Sequence, residues 1–475
     1  MENNPIRFGT DGWRGVIAED FTFDNVRFCA QGVADYLKQK GLANRGVYIG
    51  YDHRFASEDF AAAAAEVIAG NDIKVALSPK AIPTPLVSFG VINKKTGGGI
   101  AITASHNPAK WNGFKFREET GTSVSSETAL EIEKHIDHAI STNKIKTIPL
   151  TQALEKKLVE YLDLTPGYLN SVSKLVELDK LRHAGLKIAV DSMFGVGAGY
   201  FKTLLGGGTN QIMEINGERN PAFPGINPEP IAINLKKLSS LVVEQRANIG
   251  LATDGDADRI GIIDGKGQFL TQLQVFAILA LYLLEIRGER GALVRAISST
   301  SMLDRLGEIY KVPVFETPVG FKYIAPVILK QNALIGGEES GGYGFRGHMP
   351  ERDAFPAGLY FIDFMMKTGK TPSQLLDYLY SKVGEHYYHR IDLHFPPEQR
   401  QNIITRICEN SPRSIGNVKV IKIDTRDGFK FILADNSWLL IRFSGTEPII
   451  RIYTETDSPE RVQRLLQFGR ELAGV

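Results

Sequence analysis

Cysteine is nearly absent: Cys29 and Cys408 are the only two among 475 residues. Two distant thiols make neither a disulfide framework nor a structural zinc set. The expected setting is therefore reducing and cytoplasmic. Neither sign of charge prevails. Lys and Arg number 55 against 54 Asp and Glu, a formal net charge of +1, so no global field draws the chain to nucleic acid or to a membrane. No run approaches the ~20 apolar residues of a membrane helix. Met1 to Arg14 has no apolar core of signal-peptide length. Short-period repeats and low-complexity tracts are missing. So is a Walker A sequence: ahead of Gly369-Lys370-Thr371, Phe364 stands where the first glycine is required. ATP is not the expected phosphoryl donor.

What is present is an ordinary globular mixture, 43% apolar and 23% charged, long enough for roughly three domains. Strands and helices alternate from Val47 onward, which argues for α/β layers. Ser57 is expected to cap the helix that follows it. Ser141 to Lys144 reads as a linker, and Thr317 to Lys322 as a loop. A second α/β unit begins at Leu186–Val190. The glycines after it, Gly195, Gly197 and Gly199, are followed by Tyr200 at the last glycine position of a dinucleotide loop, so a tight turn is expected there. From about His389, strands follow one another directly, the pattern of an antiparallel α+β domain.

Four stretches carry chemistry. The apolar strand Gly98–Ile102 runs into Thr103-Ala104-Ser105-His106-Asn107-Pro108, where proline forces an irregular path. Ser105 is expected at the exposed tip of that loop, beside an imidazole, where phosphoryl or acyl chemistry could occur. In Asn112-Gly113-Phe114-Lys115-Phe116 the lysine projects opposite to the two rings if the segment is a strand, and so toward the serine loop. Asp254, Asp256 and Asp258 alternate with Gly and Ala. Three carboxylates within five residues repel one another unless a cation separates them, and hard oxygen ligands suit Mg²⁺ or Ca²⁺. The EF-hand positions six and twelve hold Arg259 and Gly265, and Mg²⁺ is favoured because it usually works with phosphates. Arg442, Ser444, Gly445 and Thr446 make a phosphate cradle. Glu338 and Ser340, in a glycine-rich loop, offer acceptors to the hydroxyls of a carbohydrate. Near the start, Arg7 to Gly15 combines glycines with Arg7 and Arg14, a possible anion nest.

These motifs, with Phe8-Gly9-Thr10-Asp11-Gly12-Trp13-Arg14, occur in an order that resembles the α-D-phosphohexomutase family from end to end. The resemblance implies three related mixed α/β domains followed by a smaller α+β C-terminal domain around a central active-site cleft. The expected boundaries are 1–148, 149–265, 266–388 and 389–475. It implies that Ser105 carries a phosphoryl group. Asp254, Asp256 and Asp258 would bind Mg²⁺ together with an oxygen on Ser105. Lys115 would be the acid/base, a near-neutral lysine tuned by neighbouring cations, with Arg14 and His106 nearby. Arg259 would contact substrate, and Lys322 and Arg352 would add positive charge around the sugar. Glu338 and Ser340 would grip sugar hydroxyls, and Arg442, Ser444, Gly445 and Thr446 would hold the non-reacting phosphate.

Glu338-Glu339-Ser340 matches the family's glucose branch. Dual mannose/glucose members read Glu-Met-Ser-Gly-His, and here Gly342 takes the histidine position. The glucosamine branch usually has Gln in the middle position. His348 is a candidate for the missing imidazole, and Gly445 stands where dual members often carry Asn. The implied activity is an isomerase-class phosphotransferase that interconverts glucose 1-phosphate and glucose 6-phosphate. Glucose 1,6-bisphosphate is its intermediate and activator. Small phosphosugars are the expected partners, with no nucleic acid and no membrane, and the chain would be a monomer or homodimer. A glucose 1,6-bisphosphate synthase or a phosphomannomutase would use the same residues. A non-catalytic sugar-phosphate-binding regulator is the alternative of another class, against which the intact Ser105, Lys115 and three aspartates argue.

Overall fold

The computed structural model describes residues 6–9, 11–444 and 448–475. Its strands fall into four sheets. The first takes β1 (Trp13–Val16), β2 (Val47–Tyr51), β3 (Val75–Leu77), β4 (Gly98–Ile102), β5 (Trp111–Glu118) and β6 (Val159–Tyr161), in the order β1-β5-β4-β2-β3-β6. The second takes β7 (Lys187–Asp191), β8 (Gln211–Ile215), β9 (Ile249–Thr253), β10 (Ile260–Asp264) and β11 (Phe269–Leu270), in the order β11-β10-β9-β7-β8. The third takes β12 (Leu293–Ala296), β13 (Val314–Thr317), β14 (Ile335–Gly337) and β15 (Tyr343–Phe345), in the order β13-β12-β14-β15.

One arrangement recurs in all three. Two strands joined through a helix lie parallel, a third lies parallel beside the first of them, and a fourth returns antiparallel to the third. In the first sheet β2, β3 and β4 are parallel and β5 is antiparallel to β4. In the second β7, β8 and β9 are parallel and β10 returns along β9. In the third β12, β13 and β14 are parallel and β15 returns along β14. The turn between the last parallel strand and its antiparallel partner is the serine loop, the acidic loop and the Glu338 loop in turn. Parallel strands covered on both faces read as continuous apolar runs, and β4, β9 and β14 are buried throughout.

The fourth sheet holds β16 (Tyr387–His394), β17 (Ser414–Ile415), β18 (Val418–Asp424), β19 (Phe429–Leu433), β20 (Trp438–Phe443) and β21 (Ile449–Thr456), all antiparallel. The helix Pro459–Ala473 packs its apolar stripe, Val462, Leu465, Leu466 and Leu472, into that sheet's core. Among the described residues no helix is long and apolar enough to cross a membrane.

Several local expectations change. Ala56, at φ +54°, precedes the helix Ser57–Gly70, and Ser57 caps nothing; its buried hydroxyl donates to Asp52 Oδ1 at 2.8 Å. The stretch read as a linker is helical to Thr142 and stops where Asn143 turns left-handed. A helix starts at Phe321, so Lys322 sits in a first helical turn. Residues 159–161, beyond the expected boundary at 148, extend the first sheet as β6 because Val75 pairs with Val159 in parallel register.

The fourth unit is tied to the third by buried charge. Glu455 on β21 accepts from Thr300 Oγ1, Ser301 Oγ and the Ser301 amide at the start of the helix Met302–Tyr310, and from Trp438 Nε1. His386 Nδ1 lies 3.5 Å from it. Burial opposes its ionisation, but His386 and these donors outweigh that and hold its carboxyl down at about 2. The stabilisation is therefore complete above the ordinary glutamate range and is lost as pH falls toward about 2. Glu455→Ala, which leaves these donors unpaired, should lower stability by about 3 kcal/mol, read as a fall in the calorimetric midpoint; Glu455→Gln, which keeps an acceptor, should cost less.

Candidate active site

Ser105 follows β4 in a tight loop and has φ +52°. The sequence placed it at an exposed tip, but it is 1% exposed. The reason is the second unit, whose acidic loop closes over it: Ser105 Oγ donates to Asp254 Oδ2 at 2.8 Å. His106 Nδ1 lies 3.4 Å from the same hydroxyl. Burial and the charges of Arg259 and Arg14 push the His106 imidazole well below its usual range. Arg14 donates to Asn107 Oδ1 and so braces the loop's far side.

Asp254, Asp256 and Asp258 lie between β9 and β10, all buried, with one oxygen from each within 4.8 Å of the others. Their environments differ. Asp254 Oδ1 accepts the amides of Asp258 and Arg259, yet burial, together with the other two carboxylates, pushes it well above the usual range. Asp256 goes the other way. Burial opposes its charge, but Lys115 and the Thr84 hydroxyl, at 2.9 and 2.7 Å, outweigh it. Asp258 is raised by burial, which Arg352 at 2.8 Å only partly offsets. Asp256 Oδ1 and both oxygens of Asp258 receive no well-directed hydrogen bond. Buried carboxylate oxygens left this way are costly unless something positive completes them. A hard divalent cation fits this donor set.

Lys115 on β5 pairs with Ala101 of β4. Phe114 and Phe116 turn into the first core, and the lysine turns away from it toward Asp11 and Asp256. Its ammonium sits between Asp11 Oδ2 at 2.7 Å and Asp256 Oδ2 at 2.9 Å. The expectation of a near-neutral lysine among cations is thus corrected. Burial lowers its basicity, but the two carboxylates outweigh burial and raise it.

The other positions gather around this centre. Arg259 points at Asp258 and Glu229, at 3.8 and 3.6 Å. Arg352 is the hub: its guanidinium meets Asp11 at 3.0 Å, Asp258 at 2.8 Å and Glu338 at 3.2 Å. Glu338 is buried between β14 and β15, and its Oε1 accepts the Gly320 amide at 2.9 Å. Burial, against the pull of Arg352, moves its carboxyl up to about 6. Ser340 is half-buried in the same loop. Lys322 reaches the Gly9 carbonyl at 3.3 Å. Arg442 Nε is held by both oxygens of Asp427 at 2.9 Å, and Asp427 Oδ2 also accepts the Val319 amide. Ser444 is buried and donates its amide to the Ile449 carbonyl. Gly445 and Thr446 lie outside the described residues, as does Thr10. His348 does not face the sugar loop as a free imidazole; its Nε2 is paired with Asp353 Oδ2 at 2.7 Å. A chain of contacts therefore links all four units, from Ser105 through the aspartates and Arg352 to Glu338, and on through Gly320, Val319 and Asp427 to Arg442.

Sequence reasoning missed several members. Asp11 stands inside a quoted motif, but its arginines drew the attention; it joins Lys115, Arg117 and Arg352. Glu351 accepts from the Ser123 amide and hydroxyl and pairs with Arg117, which fastens the first unit to the third. Asp427 and Thr84 carried no signal at all, because their partners are distant in the chain.

The fold and this site define a phosphohexomutase. Four family models match in order: phosphoglucomutase/phosphomannomutase α/β/α domain I at residues 5–143, domain II at 166–267, domain III at 272–383 and the C-terminal domain at 405–471. The chain is 30% identical over 469 residues to a phosphoglucomutase/phosphomannomutase of Thermococcus kodakarensis, covering 98% of each. It is 28% identical to a probable phosphoglucosamine mutase of Methanosphaera stadtmanae, covering 99% of each. A solved structure from Thermus thermophilus, assigned by inference as a phosphomannomutase, superposes with a TM-score of 0.85 at 35% identity over 99% of both chains. The chain belongs to the phosphoglucomutase/phosphomannomutase family, whose members are isomerase-class phosphotransferases.

Gly342 explains itself structurally. A Cβ there would lie 2.2 Å from Arg352 Cδ, so the bare glycine is what lets Arg352 cross the loop to Asp11 and Asp258. Gly342→Ala should displace that guanidinium and destabilise the protein by about 1–3 kcal/mol, measured as a lowered thermal midpoint; an unchanged midpoint would show that Arg352 has room to spare.

Proposed function

We propose that this chain is a phosphoglucomutase, interconverting glucose 1-phosphate and glucose 6-phosphate through a phosphorylated Ser105 and glucose 1,6-bisphosphate. The observation that carries the reading is the buried Ser105 hydroxyl resting on Asp254 inside a cluster of three aspartates. Phosphoserine supplies the phosphoryl group that the chain, lacking a Walker A loop, would not draw from ATP. Asp254, Asp256, Asp258 and the Ser105 oxygen would hold Mg²⁺, whose charge offsets that of the transferring phosphoryl group. Arg259 adds positive charge from the protein itself.

In the first transfer the bond from Ser105 Oγ to phosphorus breaks and one from the sugar hydroxyl to phosphorus forms. The net proton movement is from the sugar hydroxyl to Ser105 Oγ; Lys115, an ammonium beside Asp11 and Asp256, would give its proton to Ser105 Oγ and regain one from the sugar hydroxyl. Glu338 and Ser340 accept from sugar hydroxyls. Arg442 and Ser444, with Gly445 and Thr446, hold the phosphate that is not reacting. The bisphosphate then turns over in the cleft and the second transfer runs in reverse. Glu339 between Glu338 and Ser340 supports glucose over glucosamine, and Gly342 supports glucose over mannose. The proposed setting is the cytoplasm.

Ser105→Ala should reduce turnover of glucose 1-phosphate by at least about a thousandfold; a variant that retains wild-type turnover would remove the phosphoserine. A chelator should abolish activity and added Mg²⁺ restore it. Glucose 1-phosphate should be turned over faster than mannose 1-phosphate or glucosamine 1-phosphate, and the reverse order would reassign the substrate. With its carboxyl raised to about 6, Glu338 should lose its acceptor role as pH falls through that value. KM should then rise in the wild type more than in Glu338→Gln. Over the same interval, the Glu338 contribution to stability should grow, because the folded state binds that proton more readily than the unfolded one.

A further inference from the structure

The left-handed backbone of Ser105, at φ +52°, is one that a residue with a side chain holds only when its surroundings impose it. Arg54 imposes it. Its side chain is fully buried beneath the loop. Nη2 donates to the carbonyls of Ser105 and Asn107, both at 2.6 Å. Nη1 donates to those of Pro108 and Trp111, at 2.9 and 3.0 Å. Three carbonyls of the loop, and that of Trp111 at the start of β5, thus converge on one planar group.

The guanidinium is itself fixed. Nε faces Asp52 Oδ2 at 3.2 Å. Asp52 accepts from the Thr103 hydroxyl at 2.6 Å, from the Ser57 hydroxyl at 2.8 Å and from the Arg54 amide at 2.9 Å. Thr103 Oγ1 also accepts the Ser105 amide at 2.9 Å. The Phe223 ring of the second unit covers the guanidinium at 5.0 Å. From the acidic loop, Gly255 abuts the same carbonyl that Arg54 holds: a Cβ there would lie 2.5 Å from the Ser105 oxygen.

A buried ion pair is weak evidence of stabilisation, since desolvation offsets the attraction. Specificity of geometry is what this one supplies. An ammonium is a point donor and does not span four carbonyls lying along a fork. We propose that Arg54 is the positioning residue of the Ser105 loop. Its four carbonyl bonds set the direction of Ser105 Oγ toward the acidic loop, and it touches no substrate. The proposal rests on the reading of Ser105 as the phosphoryl carrier. Misplacing a reacting atom by about 1 Å is enough to slow a reaction about a hundredfold.

The test is Arg54→Lys, assayed well below its thermal midpoint. Expected is a fall in kcat of about a hundredfold, with KM for glucose 1-phosphate within about twofold of wild type, because the sugar and phosphate loops are untouched. Guanidinium ion added to Arg54→Ala should recover part of kcat. A merely structural role would lower the midpoint and leave the kcat of the folded protein alone. If Arg54→Lys does not fold, the pair Asp52→Asn with Arg54→Gln, which orphans no buried charge, is read in the same way. Unchanged kcat in a folded variant overturns the proposal, and so does a failure of both variants to fold, which would assign Arg54 to the fold. The wild type separates the two readings. If it takes no phosphoryl group on Ser105, the proposed function fails; if it does and Arg54→Lys is fully active, only the role of Arg54 fails.

Discussion

Buried like charges govern this molecule. Asp254, Asp256 and Asp258 are crowded together out of water, and Asp11 lies one lysine away. Such a cluster is tolerated only where positive charge is brought to it. The charge comes from several parts of the chain: Lys115 from the first unit, Arg259 beside the aspartates, and Arg352 from the third. Lys115 and Arg352 each cross from their own unit to a carboxylate of the second. The units are therefore docked by the same charges that gather at the candidate site, and removing one of them also removes a contact between units.

The repeated sheet explains how three loops of different chemistry meet. Each sits where the last parallel strand turns back on an antiparallel partner. A scaffold used three times presents the same edge three times, and the side chains on the turns differ: a hydroxyl, three carboxylates, and a glutamate with glycines. Ligand sites gather at strand ends because loops there are free to vary while the sheet holds them in place. The fourth unit has another topology and is joined to the third through Asp427, Lys430 and Glu455, which reach Val319, Ile297 and the Ser301 region.

Most of the architecture was legible because buried parallel strands are short apolar runs and the chemistry falls at their ends. That Lys115 turns away from the core followed from its alternation with Phe114 and Phe116; its partners, Asp11 and Asp256, did not. What stayed hidden depended on distant parts of the chain. Ser105 looks exposed from its own loop, since proline and glycine mark an irregular turn; only the second unit, about 150 residues on, covers it. Lys115 was expected among cations because the family resemblance sets Arg14 near it, whereas the groups that touch it are Asp11 and Asp256. Arg54 carries no local signal, as its partners are backbone carbonyls more than fifty residues away. Ser57 has the look of a helix cap, but Asp52 takes its hydroxyl.

The most direct measurement is intact mass with peptide mapping of the full chain, before and after exposure to glucose 1,6-bisphosphate. One phosphoryl group is predicted, on the peptide containing Ser105, and it should be lost on adding excess glucose 1-phosphate or glucose 6-phosphate. A phosphoryl group on any other residue, or an active enzyme that never carries one, would contradict the account.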